Sequence, residues 1–241
     1  MPQSRVLYYI TDRTAFSTDE TTRRKCLLEK IREATRAGVD YIQLREKDLS
    51  TSGLESLCRE AIGVLRELGA ENPKMATKLL INSRADVALA AGADGVHLRS
   101  DDISPQQVAA IWRKAHAEAA APGCPPARSA ATARVQIPSR PLIGISCHSP
   151  DEVRQAEANG ASFAVFAPVF EKKDTPGGQP AGLSQLREAC KAKLPVLALG
   201  GISLENAPSC LEAGAAGIAA IRLFQENDVA KIVDDVRRWM P

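Results

Sequence analysis

Four times along this chain of 241 residues a glycine that closes a helix-like stretch runs directly into a short apolar strand: AGVDYIQL from Ala37, AGADGVHL from Ala91, NGASFAVF from Asn159 and AGAAGIAA from Ala213. A glycine just past a helix can take the left-handed conformation that stops it, and the apolar run that follows suits a buried parallel strand. Each copy therefore reads as a helix-to-strand turn. The glycines Gly38, Gly92, Gly160 and Gly214 are spaced by roughly two strand-helix units, so four unmarked units are expected between the marked ones.

Composition supplies the missing strands. Apolar runs bounded by turn or cap residues occur at 6–10, 78–82, 141–146 and 195–199. Amphipathic stretches lie at 20–37, 52–68, 85–91, 104–119, 150–159, 182–192, 203–213 and 228–239. Ser104 before Pro105 and Ser149 before Pro150 read as N-caps with proline at the first helical position. The order is strand then helix throughout, which predicts a single-domain α/β fold over residues 1–241: a (β/α)8 TIM barrel of eight parallel strands. One segment breaks the rhythm. Residues 117–140 are rich in Ala, Pro, Ser and Arg, the composition of a flexible insertion, and they fall at the face opposite the strand-to-helix loops.

Charge and cysteine usage narrow the function classes. With 31 Lys and Arg against 29 Asp and Glu, and no one-sided basic helix, a broad nucleic-acid footprint is excluded and small-molecule partners are expected. No apolar stretch is long enough to span a bilayer, and residues 6–10 are needed as a strand rather than as the core of a secretion signal, so a cytoplasmic protein is expected. Cys26, Cys58, Cys124, Cys147, Cys190 and Cys210 show no C-x-x-C spacing and read as free thiols. Cys147 and His148 are neighbours on a strand end and point to opposite faces, which argues against a nucleophile and base pair.

Candidate chemistry collects at the strand ends. Period-two alternation in YIQLREK puts Tyr41, Gln43 and Arg45 on one side of the second strand, with Lys47 just beyond its tip. An amide, a guanidinium and an ammonium there suit an anion with several oxygens; the competing reading is an internal ion pair with Glu46. The third strand ends at Asn82, followed by Ser83 and Arg84. On the fourth, His97 and Arg99 share a face, and His97 is read as a structural interior residue. Asp101 and Asp102 follow, where Asp102 either binds a magnesium ion shared with ligand phosphates or helps cap the next helix. The fifth strand ends in GISCHS: Ser146 and His148 share a side, and His148 lies in the loop, where an imidazole can shuttle a proton. Gly200 and Gly201 after the seventh strand allow backbone N–H groups to cradle a phosphate, and Arg222 at the end of the eighth supplies a countercharge.

The strings QLREK, LLINSRADVALAAGADGVHL, GISCHS, PVF and LALGGIS, in this order, resemble the thiamine phosphate synthase and TenI family across the whole chain apart from the insertion. The resemblance implies one of two reactions. Synthases join a hydroxymethylpyrimidine diphosphate to a thiazole phosphate and release pyrophosphate with Mg2+; TenI-like members shift a thiazole carboxylate phosphate between tautomers without a cofactor. By the resemblance, Gln43, Arg45, Lys47 and Asn82 hold the pyrimidine and its diphosphate, Ser146 contacts pyrophosphate, Asp102 is a metal ligand, and Gly200 and Gly201 hold the thiazole phosphate. Self-association rests on family analogy alone.

The departures from the synthase pattern carry equal weight. Ser83 stands where synthases place a magnesium-binding aspartate, and FEKKDTPGGQPAG replaces a threonine-rich phosphate loop, with Lys172 and Lys173 restoring some positive charge. The phenylalanine and glutamate there, N-x-R-x-D after the third strand and SPQQ after the fourth are similar to TenI, in which the histidine matching His148 is the proton shuttle. Arg222 departs from both patterns, which have a serine. Losing one charge-assisted contact to departing pyrophosphate costs about 3 kcal/mol, whereas a tautomerase needs one phosphate anchor and one acid-base group. The sequence balance therefore favours a thiazole tautomerase, with thiamine phosphate synthase as the alternative and a non-catalytic thiazole-phosphate-binding regulator as the second alternative.

Overall fold

Eight short parallel strands close on themselves in chain order in the computed structural model, which describes residues 5–72, 76–120, 137–171 and 179–239. They are β1 (Val6–Ile10), β2 (Tyr41–Leu44), β3 (Lys78–Asn82), β4 (Gly95–Leu98), β5 (Leu142–Cys147), β6 (Phe163–Phe166), β7 (Val196–Ala198) and β8 (Gly217–Ala220). The helices around them are α1 (Glu20–Ala37), α2 (Thr51–Glu71), α3 (Ala85–Ala91), α4 (Pro105–Ala120), α5 (Pro150–Ala158), α6 (Gly182–Ala189), α7 (Ala207–Glu212), α8 (Arg222–Gln225) and α9 (Val229–Arg238). The expected eight-stranded barrel is the observed one.

The four repeated turns close the barrel by one shared device. Gly38, Gly92, Gly160 and Gly214 all have positive φ, between 76° and 101°, and end the preceding helix in the left-handed region. Two residues later the backbone N–H of Asp40, Asp94, Ser162 and Ala216 donates to Leu7, Leu79, Ile143 and Val196 on the preceding strand. In three of the four the side chain returns the bond: Asp40 accepts from the Leu7 N–H at 2.8 Å, Asp94 from Leu79 at 3.0 Å and Ser162 from Ile143 at 3.0 Å. Ala216 has no side-chain oxygen to do so. The backbone bond pins each even strand to its odd neighbour at the N-terminal rim, and at β2, β4 and β6 the side chain makes the clamp reciprocal.

Side chains alternate between two cores. Leu7, Ile42, Leu44, Leu79, Ile81, Val96 and Leu98 point outward against the helices, while Tyr8, Ile10, Leu80, Phe163, Val165, Leu197 and Ala219 fill the barrel. Tyr8, Tyr41 and Phe163 form an aromatic interior layer, with ring centroids 5.3–6.0 Å apart. Gly144 makes room for it: a Cβ there would lie 2.5 Å from the Phe163 ring and 2.8 Å from His97 Nδ1.

Several boundaries differ from the sequence expectation. Helix α4 continues to Ala120, into the proposed insertion, and residues 137–140 return against it: Trp112 Nε1 donates to the Pro138 oxygen at 3.0 Å, and Ile137 packs on the outer core. The stretch 121–136, with Cys124, lies outside the described residues. The helix expected from residue 203 begins at Ala207, because Asn206 folds the preceding turn, accepting from the Ser203 N–H and donating to the Gly201 oxygen. Cys26, Cys58, Cys147, Cys190 and Cys210 are free thiols, as expected. Burial pushes the Cys147 thiol up to about 12, so it stays protonated beside the exposed His148 and no nucleophile pair exists. No helix among the described residues is long and apolar enough to cross a membrane.

Candidate active site

All strands of a closed parallel barrel end at one rim, so the residues that follow β2, β3, β4, β5, β7 and β8 converge there. Arg45, Ser83, Arg99, His148, Gly200 and Arg222 therefore share one face of the molecule. That is the spatial condition on which a common site depends.

The floor of this mouth is polar. Gln43, almost fully buried, donates through Nε2 to Asn82 Oδ1 at 2.9 Å, and Asn82 in turn donates to the Ser83 hydroxyl at 3.2 Å. Ser83 has φ of 59°, a left-handed conformation that an ordinary side chain adopts at a cost of about 1–2 kcal/mol. It is held there by its N–H, which donates to the His97 oxygen at 2.8 Å. Strain at the end of a barrel strand is a mark of a site.

Beside this floor the anticipated cations are present, and the ion pair with Glu46 is not theirs. Glu46 is buried and accepts from the Thr11 hydroxyl at 2.5 Å and from the Arg13 N–H and guanidinium at 3.1 and 3.3 Å. Arg13 continues to Asp48 at 2.6 Å and Glu20 at 2.9 Å, and these partners raise the affinity of its guanidinium for its proton. Burial pushes the Glu46 carboxyl up while the bonds from Thr11 and Arg13 pull it back. Thr11 also accepts from the Arg45 N–H at 3.0 Å, which ties the Arg45 backbone to this buried network. Lys47 is exposed, and its ammonium is pushed below the ordinary lysine value, first by Arg45, then by partial burial and Arg99. Arg45, Lys47 and Arg99 therefore lie close enough to repel one another, Arg99 also facing Asp101 and Asp102 at 3.3 Å.

On β4 and β5, His97 is buried, as its structural reading expects, with Nδ1 3.2 Å from the Tyr8 hydroxyl and Nε2 2.9 Å from the Ser146 hydroxyl. Burial, and then Arg45, lower the imidazole to about 3, so it is neutral. Asp102 is not the helix cap: Ser104 and Gln107 cap α4 reciprocally, the Gln107 N–H to Ser104 Oγ at 3.3 Å and the Ser104 N–H to Gln107 Oε1 at 2.9 Å. Instead Asp102 accepts from the Arg99 N–H at 2.8 Å and faces its guanidinium at 3.3 Å. A cavity of about 220 Å³ lies alongside, lined by Arg99, Asp102, Ser146 and Glu152 among others.

His148 stands past β5, outside the helix capped by Ser149. Its N–H donates to Glu152 Oε2 at 2.8 Å and its Nδ1 lies 2.6 Å from the Ala167 oxygen. A carbonyl only accepts, so Nδ1 carries the hydrogen and Nε2 of the neutral ring presents a lone pair.

Gly200 and Gly201 have φ of 98° and 64°, and the chain's own backbone explains them: a Cβ on Gly200 would lie 2.7 Å from Pro168 Cα, and one on Gly201 2.5 Å from the Glu171 oxygen. The loop after β6 thus packs directly on the glycines, with the Phe170 N–H donating to the Gly200 oxygen at 3.0 Å. The N–H groups of Gly200 and Gly201 have no acceptor among the described residues. Arg222 corrects the sequence reading: it does not end β8, which stops at Ala220, but opens α8. Ile221 turns into helical conformation so that Leu223 and Phe224 reach the outer core. Lys172 and Lys173 lie outside the described residues.

Sequence reasoning missed Tyr8, Thr11 and Arg13. The signal available was a threonine and an arginine directly after β1, where a strand end faces the mouth.

The sequence profile of the thiamine monophosphate synthase family matches residues 7–117 and 127–224. A Geobacter sulfurreducens protein provisionally named a thiamine-phosphate synthase is 39% identical over 217 residues, 89% of this chain and 84% of that protein. The thiamine-phosphate synthase of Clostridium novyi is 33% identical over 226 residues, 92% of this chain and 91% of its own. In three dimensions the chain is similar to a thiamine phosphate pyrophosphorylase from Pyrococcus furiosus, with 28% identity and a TM-score of 0.71 over 99% of this chain and 96% of that one. With the family profile covering most of its length and relatives above 30% identity over nearly all of it, the chain belongs to the thiamine phosphate synthase and TenI family.

Proposed function

We propose that the chain is a thiamine phosphate synthase: it joins a hydroxymethylpyrimidine diphosphate to a thiazole phosphate. The bond between the pyrimidine methylene carbon and the diphosphate oxygen breaks, pyrophosphate leaves with the electron pair, and the thiazole nitrogen bonds to that carbon. The observation that carries this reading is the crowding of Arg45, Lys47 and Arg99 above the Gln43–Asn82 floor, which depresses the Lys47 ammonium. Mutually repelling cations gain most from a ligand with several negative oxygens, and a diphosphate supplies them in both substrate and leaving group. The names of the Clostridium and Pyrococcus relatives support the same choice over the tautomerase favoured by local motifs.

Relatives of this kind imply Mg2+, and the donor set does not fit a metal held by the protein. After β4 both Asp101 and Asp102 face Arg99, and Asp102 spends both its oxygens on it. Ser83 offers a hydroxyl that already accepts from Asn82. Among the described residues no group of three His, Cys, Asp or Glu is placed to hold an ion. The charge of departing pyrophosphate is therefore met by Arg45, Lys47 and Arg99.

A second reading, the thiazole tautomerase, has its own observation: the bond from His148 to Ala167 leaves Nε2 free to take and return a ring proton. Both readings are tested together by incubating the protein with each thiazole phosphate tautomer, with and without hydroxymethylpyrimidine diphosphate. Thiamine phosphate and pyrophosphate in equal amounts are expected. Solvent deuterium entering the thiazole without coupling would replace the synthase reading by the tautomerase, and binding with neither signal would leave a regulator.

A further inference from the structure

Deep in the barrel three hydroxyl and imidazole groups form an unbranched chain that leads from apolar surroundings to the mouth. Tyr8 packs edge-to-face against the stacked Phe163 and Tyr41 rings, and its hydroxyl has one hydrogen-bond partner among the described residues, His97 Nδ1 at 3.2 Å. His97 Nε2 then reaches the Ser146 hydroxyl at 2.9 Å. Ser146 is half-buried and His97 is not, so the chain opens outward at its serine end.

Proton counting orders this chain. Were Nδ1 to carry the imidazole hydrogen, it would donate to the tyrosine oxygen, and the tyrosine hydrogen would point among aromatic rings with no acceptor among the described residues. An unmet buried donor is costly. The opposite arrangement leaves nothing unmet: the tyrosine hydroxyl donates to Nδ1, Nε2–H donates to Ser146 Oγ, and the serine hydrogen must seek an acceptor elsewhere. We propose that Tyr8 and His97 are positioning residues that fix Ser146 as a one-way donor aimed at a phosphate-class anion in the barrel mouth. Without the relay, a serine hydroxyl could turn its hydrogen toward the imidazole and present a lone pair, which repels an anion. Burial supports the assignment, since it keeps Tyr8 protonated and His97 neutral. The anion's identity rests on the synthase reading, but the proton order does not.

Two measurements separate those parts. In ligand-free protein labelled with 15N-histidine, the His97 ring is expected to show the Nε2–H tautomer between pH 6 and 8; an Nδ1–H signal would overturn the relay. Titration with inorganic pyrophosphate is expected to bind roughly tenfold to a hundredfold more weakly to Ser146→Ala, as for a lost hydrogen bond to a charged group. Tyr8→Phe, which keeps the ring, should mix the His97 tautomers and weaken pyrophosphate about tenfold. Unchanged affinity in both variants, with the tautomer as expected, would overturn the anion role of Ser146. Loss of coupling activity alone, with both signatures retained, would instead reject the synthase reading.

Discussion

His148 donates its Nδ1 hydrogen to the Ala167 main-chain oxygen across 2.6 Å, which couples the only histidine at the mouth among the described residues to the loop that also covers Gly200. The bond fixes the ring orientation and leaves Nε2 as the reactive atom. His148→Ala is expected to change pyrophosphate release by less than about tenfold, since coupling moves no ring proton, whereas under the tautomerase reading it would lower solvent deuterium exchange into a thiazole substrate by a hundredfold or more. Isotope incorporation read by mass spectrometry, beside coupled pyrophosphate detection, checks both; equal losses would assign His148 to coupling.

By the family resemblance Ser83 takes the place of a magnesium-binding aspartate, and its left-handed conformation is one that aspartate tolerates better than most side chains. Ser83→Asp is expected to convert a weak response to Mg2+ into a clear one, with half-saturating Mg2+ falling by roughly tenfold, the worth of one added charged ligand. Rate against Mg2+ concentration for both proteins is the measurement. An unaltered profile would show that position 83 does not face the diphosphate.

The Arg13 network is a stability determinant in the same rim. Its guanidinium is almost fully enclosed and is the cation nearest the buried Glu46. Arg13→Met strands that carboxylate without its cation and is expected to cost about 3–5 kcal/mol in urea unfolding. Glu46→Gln removes the charge and keeps one carbonyl acceptor, its NH2 facing either Thr11 or Arg13, while Arg13 keeps its half-exposed partners Glu20 and Asp48, so about 1–3 kcal/mol is expected. A smaller loss for Arg13→Met than for Glu46→Gln would contradict the assignment of the cost to the orphaned carboxylate.

What could be read from the sequence and what could not have a common physical basis. The barrel was legible because Gly38, Gly92, Gly160 and Gly214 announce local backbone geometry that each residue decides for itself. Gln43, Asn82 and Ser146 were legible for a similar reason, since alternation along a strand tells which face each occupies. Arg222 was misplaced because the preference of Leu223 and Phe224 for the outer core, a tertiary effect, turns the chain one residue after β8. Arg13 and Tyr8 were invisible because their roles depend on partners 33 and 89 residues away. The same holds for Gly200 and Gly201: composition indicated close approach, but not that the loop after β6 is what approaches.

Acid should weaken the fold through His97. In the folded barrel burial holds its imidazole near 3, while in the unfolded chain it titrates near the ordinary 6.5. Below that value the unfolded state binds a proton that the folded state refuses, so stability is complete above about pH 6.5 and is lost as pH falls toward 3, at about 1.4 kcal/mol per pH unit. Urea unfolding at intervals from pH 7 to 4 should show this slope in the wild type and a reduced slope in His97→Gln; identical slopes would place the titration in other groups.

The clamp at the N-terminal rim makes a prediction of both signs. Ser162 returns a bond from the Ile143 N–H, and Asp40 and Asp94 do the same for Leu7 and Leu79, but Ala216, at the corresponding place before β8, has only the backbone half. Ser162→Ala is expected to cost about 1–2 kcal/mol, because the Ile143 N–H loses its side-chain acceptor. Ala216→Ser places a hydroxyl beside the Val196 N–H and is expected to gain about 0.5–1 kcal/mol, with little steric cost at a half-buried alanine. Urea midpoints of the two variants and the double variant measure this; the sites clamp different strand pairs, so their effects should add within a few tenths of a kcal/mol. A destabilised Ala216→Ser would mean that β7 already has its acceptor there and that the fourth turn is built differently from the other three.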